Sequence, residues 1–267
     1  MMERVGIHVK GLAKRFGTRV ALAPVTLAVA PGEVVAVVGP NGAGKSTMLR
    51  ILAGALHPSE GSARIAGWDV VVEPLRARMR LGYLPQKLGV PLSTVVGDLA
   101  ALVAAARGLP AASGVEALAN FGLADRLEAT LGEMSGGQRQ RAMLALATLG
   151  PTEALVLDEP SISLDTEGAE DVRAAIRAAR HAGAAVLFAS HYLSDVALLA
   201  DRIAVMVEGR LVACGTIEAL ALTAGVPWDG GPAEAPIERI YRILVRGRPE
   251  TYGAPGLKLV RGGKGAA

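Results

Sequence analysis

Between Glu33 and Gly54 the spacing of apolar and polar positions changes period within one short stretch, EVVAVVGPNGAGKSTMLRILAG. Val34, Val35, Val37 and Val38 flank Ala36 in an uncharged, β-branched run, the pattern of a strand buried on both faces. Gly39, Gly42 and Gly44 interrupt it, and from Lys45 the spacing is helical until Gly54. The stretch predicts strand, glycine loop and helix in succession.

The same reading extends along the chain. Residues 3 to 30 alternate in two bursts, Val5 to Lys10 and Thr26 to Val29, which predicts an antiparallel layer before the buried strand. Phe16, followed by Gly17, is expected on a turn between them, where it either stacks on a base or caps the core. Further strands are expected at Ala63 to Ala66, Leu81 to Leu84, Ala154 to Leu157, Ala185 to Ala189, Ile203 to Val207 and Leu211 to Ala213. Residues 87 to 149 carry Leu and Ala at helical spacing with breaks at Gly108, Gly114, Gly122 and Gly132, so a helical insert is predicted there. Glu170 to His181 reads as an amphipathic helix whose Arg173, Arg177 and Arg180 share a solvated face. The expected organisation is a main domain over 1–222, a Gly- and Pro-rich linker over 223–236, then a short helix from Ile237 and a disordered tail to 267.

Strands alternating with helices define an α/β chain with a mainly parallel sheet, whose ligand lies beyond the strand carboxyl ends. Gly39, Gln86, Asp158, Glu159 and His191 all follow predicted strands and are expected to converge.

Composition narrows the classes. Aromatic residues make up 3% of the 267, against a base-stacking surface, and 28 basic residues face 25 acidic ones without a long basic block, so no nucleic-acid partner is expected. The single cysteine, Cys214, excludes an internal disulfide and is expected as a small residue at a strand edge. A mean hydropathy of +0.37 raises the question of a membrane span. The longest run free of Asp, Glu, Lys and Arg, His181 to Ser194, is shorter than the roughly 18 apolar residues a spanning helix needs. Met1 to Arg19 has no apolar core of a secretory signal.

The glycine loop matches G-x-x-x-x-G-K-[ST] as Gly39, Gly44, Lys45 and Ser46. Inward-pointing amides and the positive end of the following helix attract an oxyanion. Lys45 is expected to reach the β- and γ-phosphates and the Ser46 hydroxyl to ligate Mg²⁺.

With GPNGAGKST at 39–47, Gln86, MSGGQ at 134–138, LVLDEP at 155–160, Leu164 with Asp165, and His191 in that order, the chain resembles the ATP-binding subunit of an ABC transporter over about residues 3 to 222. The resemblance implies a P-loop NTPase core with a mainly parallel sheet, an N-terminal antiparallel β layer and an inserted helical subdomain. It implies hydrolysis of ATP with Mg²⁺, the metal held by Ser46, Gln86 and Asp158. Glu159 would be the base for the attacking water, with His191, Gln86 and Lys45 completing the catalytic set. Nucleotide contacts are implied for Phe16, as adenine platform, and for Gly39, Pro40, Asn41, Gly42, Ala43, Gly44, Lys45, Ser46 and Thr47. Nucleotide contacts are implied also for Ser135, Gly136, Gly137, Gln138 and Asp165; of these, Ser135 to Gln138 act across a subunit boundary, Ser135 and Gly137 completing the site of a second, head-to-tail ATP-binding subunit in a homodimer or heterodimer. The remaining partner implied is a transmembrane permease, which places the chain peripherally on the cytoplasmic face of the cell membrane.

Two departures stand out. Met134 replaces the usual Leu, a volume-conserving change, and Ser161 to Thr166 differs from the common pattern while keeping Asp165. Ile237 to Tyr241 is similar to the tail helix of ABC-2 exporters, which favours export. An importer subunit and a soluble ABC ATPase of metal-cluster assembly are the alternatives.

Overall fold

The computed structural model describes residues 6–87, 89–162, 164–228, 230 and 234–246. Burial alternates over Ile7 to Lys10 of β1 (Ile7–Phe16) and over Ala23 to Val29 of β2 (Arg19–Val29), which pair antiparallel from Ile7 opposite Val29 to Phe16 opposite Arg19. Both strands are longer than the sequence bursts suggest, because register shifts between Val9 and Leu12 and again beside Lys14 break the alternation that periodicity detects. Phe16 is therefore the last residue of a strand at a hairpin tip.

β3 (Val34–Val38) is buried throughout and leads through the glycine loop into α1 (Lys45–Leu52). β4 (Glu60–Ile65) and β5 (Trp68–Asp69) join the first layer in the order β2-β1-β4-β5. After α2 (Pro74–Arg78), β6 (Leu81–Leu84) enters the second sheet.

In the insert, α3 (Val96–Ala106), α4 (Ala111–Asn120) and α5 (Gly136–Ala147) share a small core of Val96, Leu99, Ala100, Leu118, Leu131 and Met134. Gly114 is not the break that its type suggests. It lies inside α4, where a Cβ would sit 2.5 Å from the Ala100 carbonyl oxygen, so glycine here permits close helix packing.

β7 (Ala154–Asp158), α6 (Thr166–His181), β8 (Ala185–Ala189), α7 (Leu193–Leu199), β9 (Arg202–Val207), β10 (Arg210–Gly215), α8 (Ile217–Ala224) and α9 (Glu234–Arg246) follow. α6 starts earlier than its amphipathic stretch because Asp165 caps it, accepting from the Gly168 amide at 2.8 Å. Its arginines are paired rather than merely solvated: Arg173 with Glu170 and Asp195, Arg177 with Glu170, Arg180 with Asp201.

The second sheet runs β10-β9-β3-β8-β7-β6, parallel except for the β9–β10 pair. Its residues divide strictly between faces. Val35, Val37, Val156 and Leu187 face α1 and the antiparallel layer; Val34, Ala36, Val38, Leu155 and Phe188 join the core that includes Val172 and Ile176 of α6. Each fully buried aliphatic side chain of this size contributes about 1.5–3 kcal/mol. Cys214, on edge strand β10, is half-buried, with its Sγ 3.2 Å from Arg202 Nη2.

Within the region expected as a linker, Val226 is buried in this second core. α9 packs on α7, α8 and β9, with Ile237 and Ile240 buried. Ser163 and residues 247–267, which contain the expected tail, lie outside the described residues.

Candidate functional site

Three parallel strands deliver the chemistry to one end of the sheet. β8 lies between β3 and β7, so the glycine loop after Val38, the acids at Asp158 and Glu159, and Ser190 with His191 leave the sheet side by side. The loop is closed by Ala43 N–H donating to the Pro40 oxygen at 3.1 Å. A Cβ at Gly39 would lie 2.2 Å from the Met206 oxygen, and Gly44, at φ 94°, would place one 2.7 Å from the Ala21 oxygen. Glycine is therefore required where the loop passes between β9 and β2. No side chain caps α1, which leaves its first amides to an anion.

Lys45 is only 7% exposed, and its Nζ donates to the Gly39 oxygen at 2.7 Å and the Pro40 oxygen at 3.3 Å. Burial pushes this ammonium below its ordinary range, opposed by the carboxylates of Glu159 and Asp158. Ser46 Oγ donates to Asp158 Oδ1 at 3.1 Å. Burial raises the Asp158 carboxyl, the Ser46 hydrogen bond works against that, and the Glu159 charge adds to it.

Glu159 adopts φ 54°, a left-handed conformation that costs a non-glycine residue about 1–2 kcal/mol. Its amide donates to the Ala189 oxygen of β8 at 3.0 Å, fixing the turn. The buried carboxylate accepts from the His191 amide at 3.2 Å, and its Oε2 lies 2.7 Å from His191 Nδ1. In the Nδ1–H tautomer the ring donates to this carboxylate.

The other expected residues stand apart. Gln86 is exposed just beyond β6. Phe16 is 49% exposed at the hairpin tip, with Lys14 Nζ 5.0 Å from its ring centroid. Ser135 and Gln138 form a capping box that opens α5, and no hydrogen bond or ion pair among the described residues joins Ser135 to Gln138 with the glycine loop. Asp165 spends its carboxylate on the α6 cap.

Two further residues adjoin this group without a sequence motif to mark them. Tyr83 on β6 has its hydroxyl pushed up to about 12 by burial and by the Asp158 charge. Gln140 Nε2 donates to the Pro160 oxygen at 2.8 Å, tying α5 to the loop that carries Glu159. Neither belongs to a short pattern; only the register of β6 beside β7 and the helical turn after Gln138 point to them.

A phosphate-binding loop on a parallel sheet, flanked by a Ser–Asp pair and a Glu–His pair, defines a P-loop nucleotide triphosphatase. A family profile described as ABC transporter matches residues 22–162. The chain is 38% identical over 234 residues to the daunorubicin resistance ATP-binding protein DrrA3 of Streptomyces coeruleorubidus, covering 84% of this chain and 72% of that protein. It is also 38% identical over 212 residues to the zinc import ATP-binding protein ZnuC of Roseobacter denitrificans, covering 79% and 78%. A solved ATP-binding subunit of an ABC transporter superimposes with a TM-score of 0.79 at 27% identity, over 88% of this chain and 98% of that one. The chain belongs to the ABC transporter family and is an ABC-type ATPase, converting ATP and water to ADP and phosphate.

Proposed function

We propose that the chain powers export of a substrate through a separate membrane-spanning subunit, acting as one of a pair of ATP-binding subunits held peripherally at the cytoplasmic face of the membrane. The observation that carries the catalytic half of this reading is the convergence of Lys45, Ser46, Asp158, Glu159 and His191 at one end of the sheet. Relatives named for daunorubicin resistance and Nod factor export support the direction, and no described helix is long and apolar enough to cross a membrane. Dimeric cassette structures share the fold at 23% identity.

Lys45 exchanges its loop carbonyls for β- and γ-phosphate oxygens, while the α1 amides hold the phosphate chain. Phe16 stacks on adenine. The oxygen donors Ser46 and Asp158, already in contact, fit Mg²⁺, which takes one or two protein oxygens and fills its shell with water and phosphate. When bound, Mg²⁺ neutralises charge on the phosphates. Glu159 takes the proton of water as its oxygen bonds the γ-phosphorus, and the bond to the leaving ADP oxygen breaks with its electron pair. His191 turns its ring toward the γ-phosphate, Gln86 contacts the site and the membrane subunit, and Ser135 to Gln138 of a second copy close over the nucleotide, with Asp165 at the same boundary.

The test is affinity purification of the tagged chain from detergent-solubilised membranes with mass-spectrometric identification, then transport in inverted vesicles. A stoichiometric multi-span partner and ATP-dependent uptake into inverted vesicles are expected. A solely soluble partner would overturn the transporter reading. The zinc import relatives favour the second reading, import, which transport in the opposite sense would establish.

A further inference from the structure

Arg107 follows α3 and has a half-buried guanidinium that meets no carboxylate among the described residues. Its Nη1 donates to the Leu149 oxygen at 2.5 Å and lies 3.4 Å from Thr152 Oγ1; its Nη2 donates to the Leu81 oxygen at 3.1 Å and the Ala147 oxygen at 3.3 Å. Burial pushes the guanidinium down from its ordinary value, and its compensation is the carbonyl-rich end of α5, where the helix dipole favours a cation. A planar fork binds two groups of acceptors at once, which a lysine ammonium does not reproduce.

The elements it joins are the ones that carry the distant half of the proposed site. α5 begins at the Ser135 cap and ends at this guanidinium; β6 begins at Leu81 and runs out toward Gln86. At this joint the two elements approach closely, since a Cβ at Gly82 would lie 2.3 Å from the Ala147 oxygen, and the Arg107 fork bridges the same carbonyl to Leu81. Gln140 attaches the middle of α5 to Pro160. At 1.5 Å rise per residue α5 spans roughly 18 Å, so a tilt of about 10° at its far end moves Ser135 by about 3 Å, the length of a hydrogen bond.

We infer that Arg107 is a positioning residue: it fixes the C-terminal end of α5 to β6 and thereby aims Ser135 to Gln138 at the nucleotide of the partner subunit. This rests on the head-to-tail reading proposed above. It separates affinity from turnover, since Arg107 touches nothing that would hold ATP in its own chain.

The test uses the full chain carrying Glu159→Gln, with and without Arg107→Gln or Arg107→Lys, and reads ATP affinity by a fluorescent analogue and ATP-driven dimerisation by sedimentation. Turnover is read in chains retaining Glu159. Arg107→Gln is expected to leave ATP affinity within about two-fold, weaken dimerisation at least ten-fold and lower kcat at least ten-fold. Arg107→Lys, which keeps the cation at the α5 end and guards against a folding failure, is expected to recover part of both. Dimerisation and kcat unchanged, or falling only in step with ATP affinity, would overturn the role of Arg107 alone. A Glu159→Gln parent that stays monomeric with ATP would overturn the head-to-tail reading, and this inference with it.

Discussion

His191 Nδ1 lies 2.7 Å from Glu159 Oε2, and the His191 amide donates to the same carboxylate oxygen at 3.2 Å. One residue thus meets Oε2 of the proposed base twice over, through its amide and through its ring. In the proposed mechanism the imidazole turns from this carboxylate to the γ-phosphate, so His191 links the presence of ATP to the state of Glu159. His191→Ala is expected to lower kcat at least ten-fold while moving ATP affinity by no more than a few-fold. Steady-state turnover beside equilibrium nucleotide binding checks this, and an equal loss in both would remove the coupling.

Glu159→Gln keeps the shape of the buried side chain and the same left-handed backbone, so the fold should be retained. Without a base, turnover should fall by about 10²–10⁴-fold. Unchanged phosphate release would remove Glu159 from the role of base.

Lys45 already sits folded onto the Gly39 and Pro40 carbonyls, so the loop holds its shape around the amine. Lys45→Ala removes both these bonds and the charged contact to phosphate, worth about 1.5–3 kcal/mol. Nucleotide affinity is expected to drop roughly ten- to a hundred-fold by titration calorimetry; an unchanged affinity would exclude the loop as phosphate site.

Asp158 is 2% exposed and its carboxyl is raised, chiefly by burial. A raised carboxyl binds its proton more firmly in the folded chain, so the ionised form costs stability once pH climbs through the ordinary carboxylate range and past the folded value. Asp158→Asn should therefore raise the Tm of the nucleotide-free protein at neutral pH by a few degrees, the gain vanishing in acid, while ATP hydrolysis is lost. Thermal melts of both proteins across pH 3 to 7, roughly spanning the carboxylate range, test it; a difference that does not change with pH would contradict the burial argument.

The sequence exposes local rules well and register poorly. Val34 to Val38 announces a doubly buried strand because every position is apolar, and Gly39 to Ser46 announces the loop because Gly39 and Gly44 stand where a Cβ would meet the Met206 and Ala21 carbonyls. Strand ends mark Asp158 and His191. Bulges interrupt the alternation of β1, so Phe16, a strand residue, reads as a turn residue in the sequence. α7 and α8 are too short for a clear period, and Gly114 looks like a break until Ala100 is seen against it. The Glu159–His191 pair and the Arg107 joint each bridge distant segments, and spacing along a chain holds no record of which strand lies next to which.

In the proposed mechanism ATP draws two copies together over the site that Lys45, Ser46, Asp158 and Glu159 form. Sedimentation velocity of the Glu159→Gln chain with ATP, with ADP and without nucleotide measures this directly. The account predicts a dimer with ATP alone, abolished when Ser135→Arg is added. A monomer under all conditions, or a dimer indifferent to nucleotide and to Ser135, would contradict it.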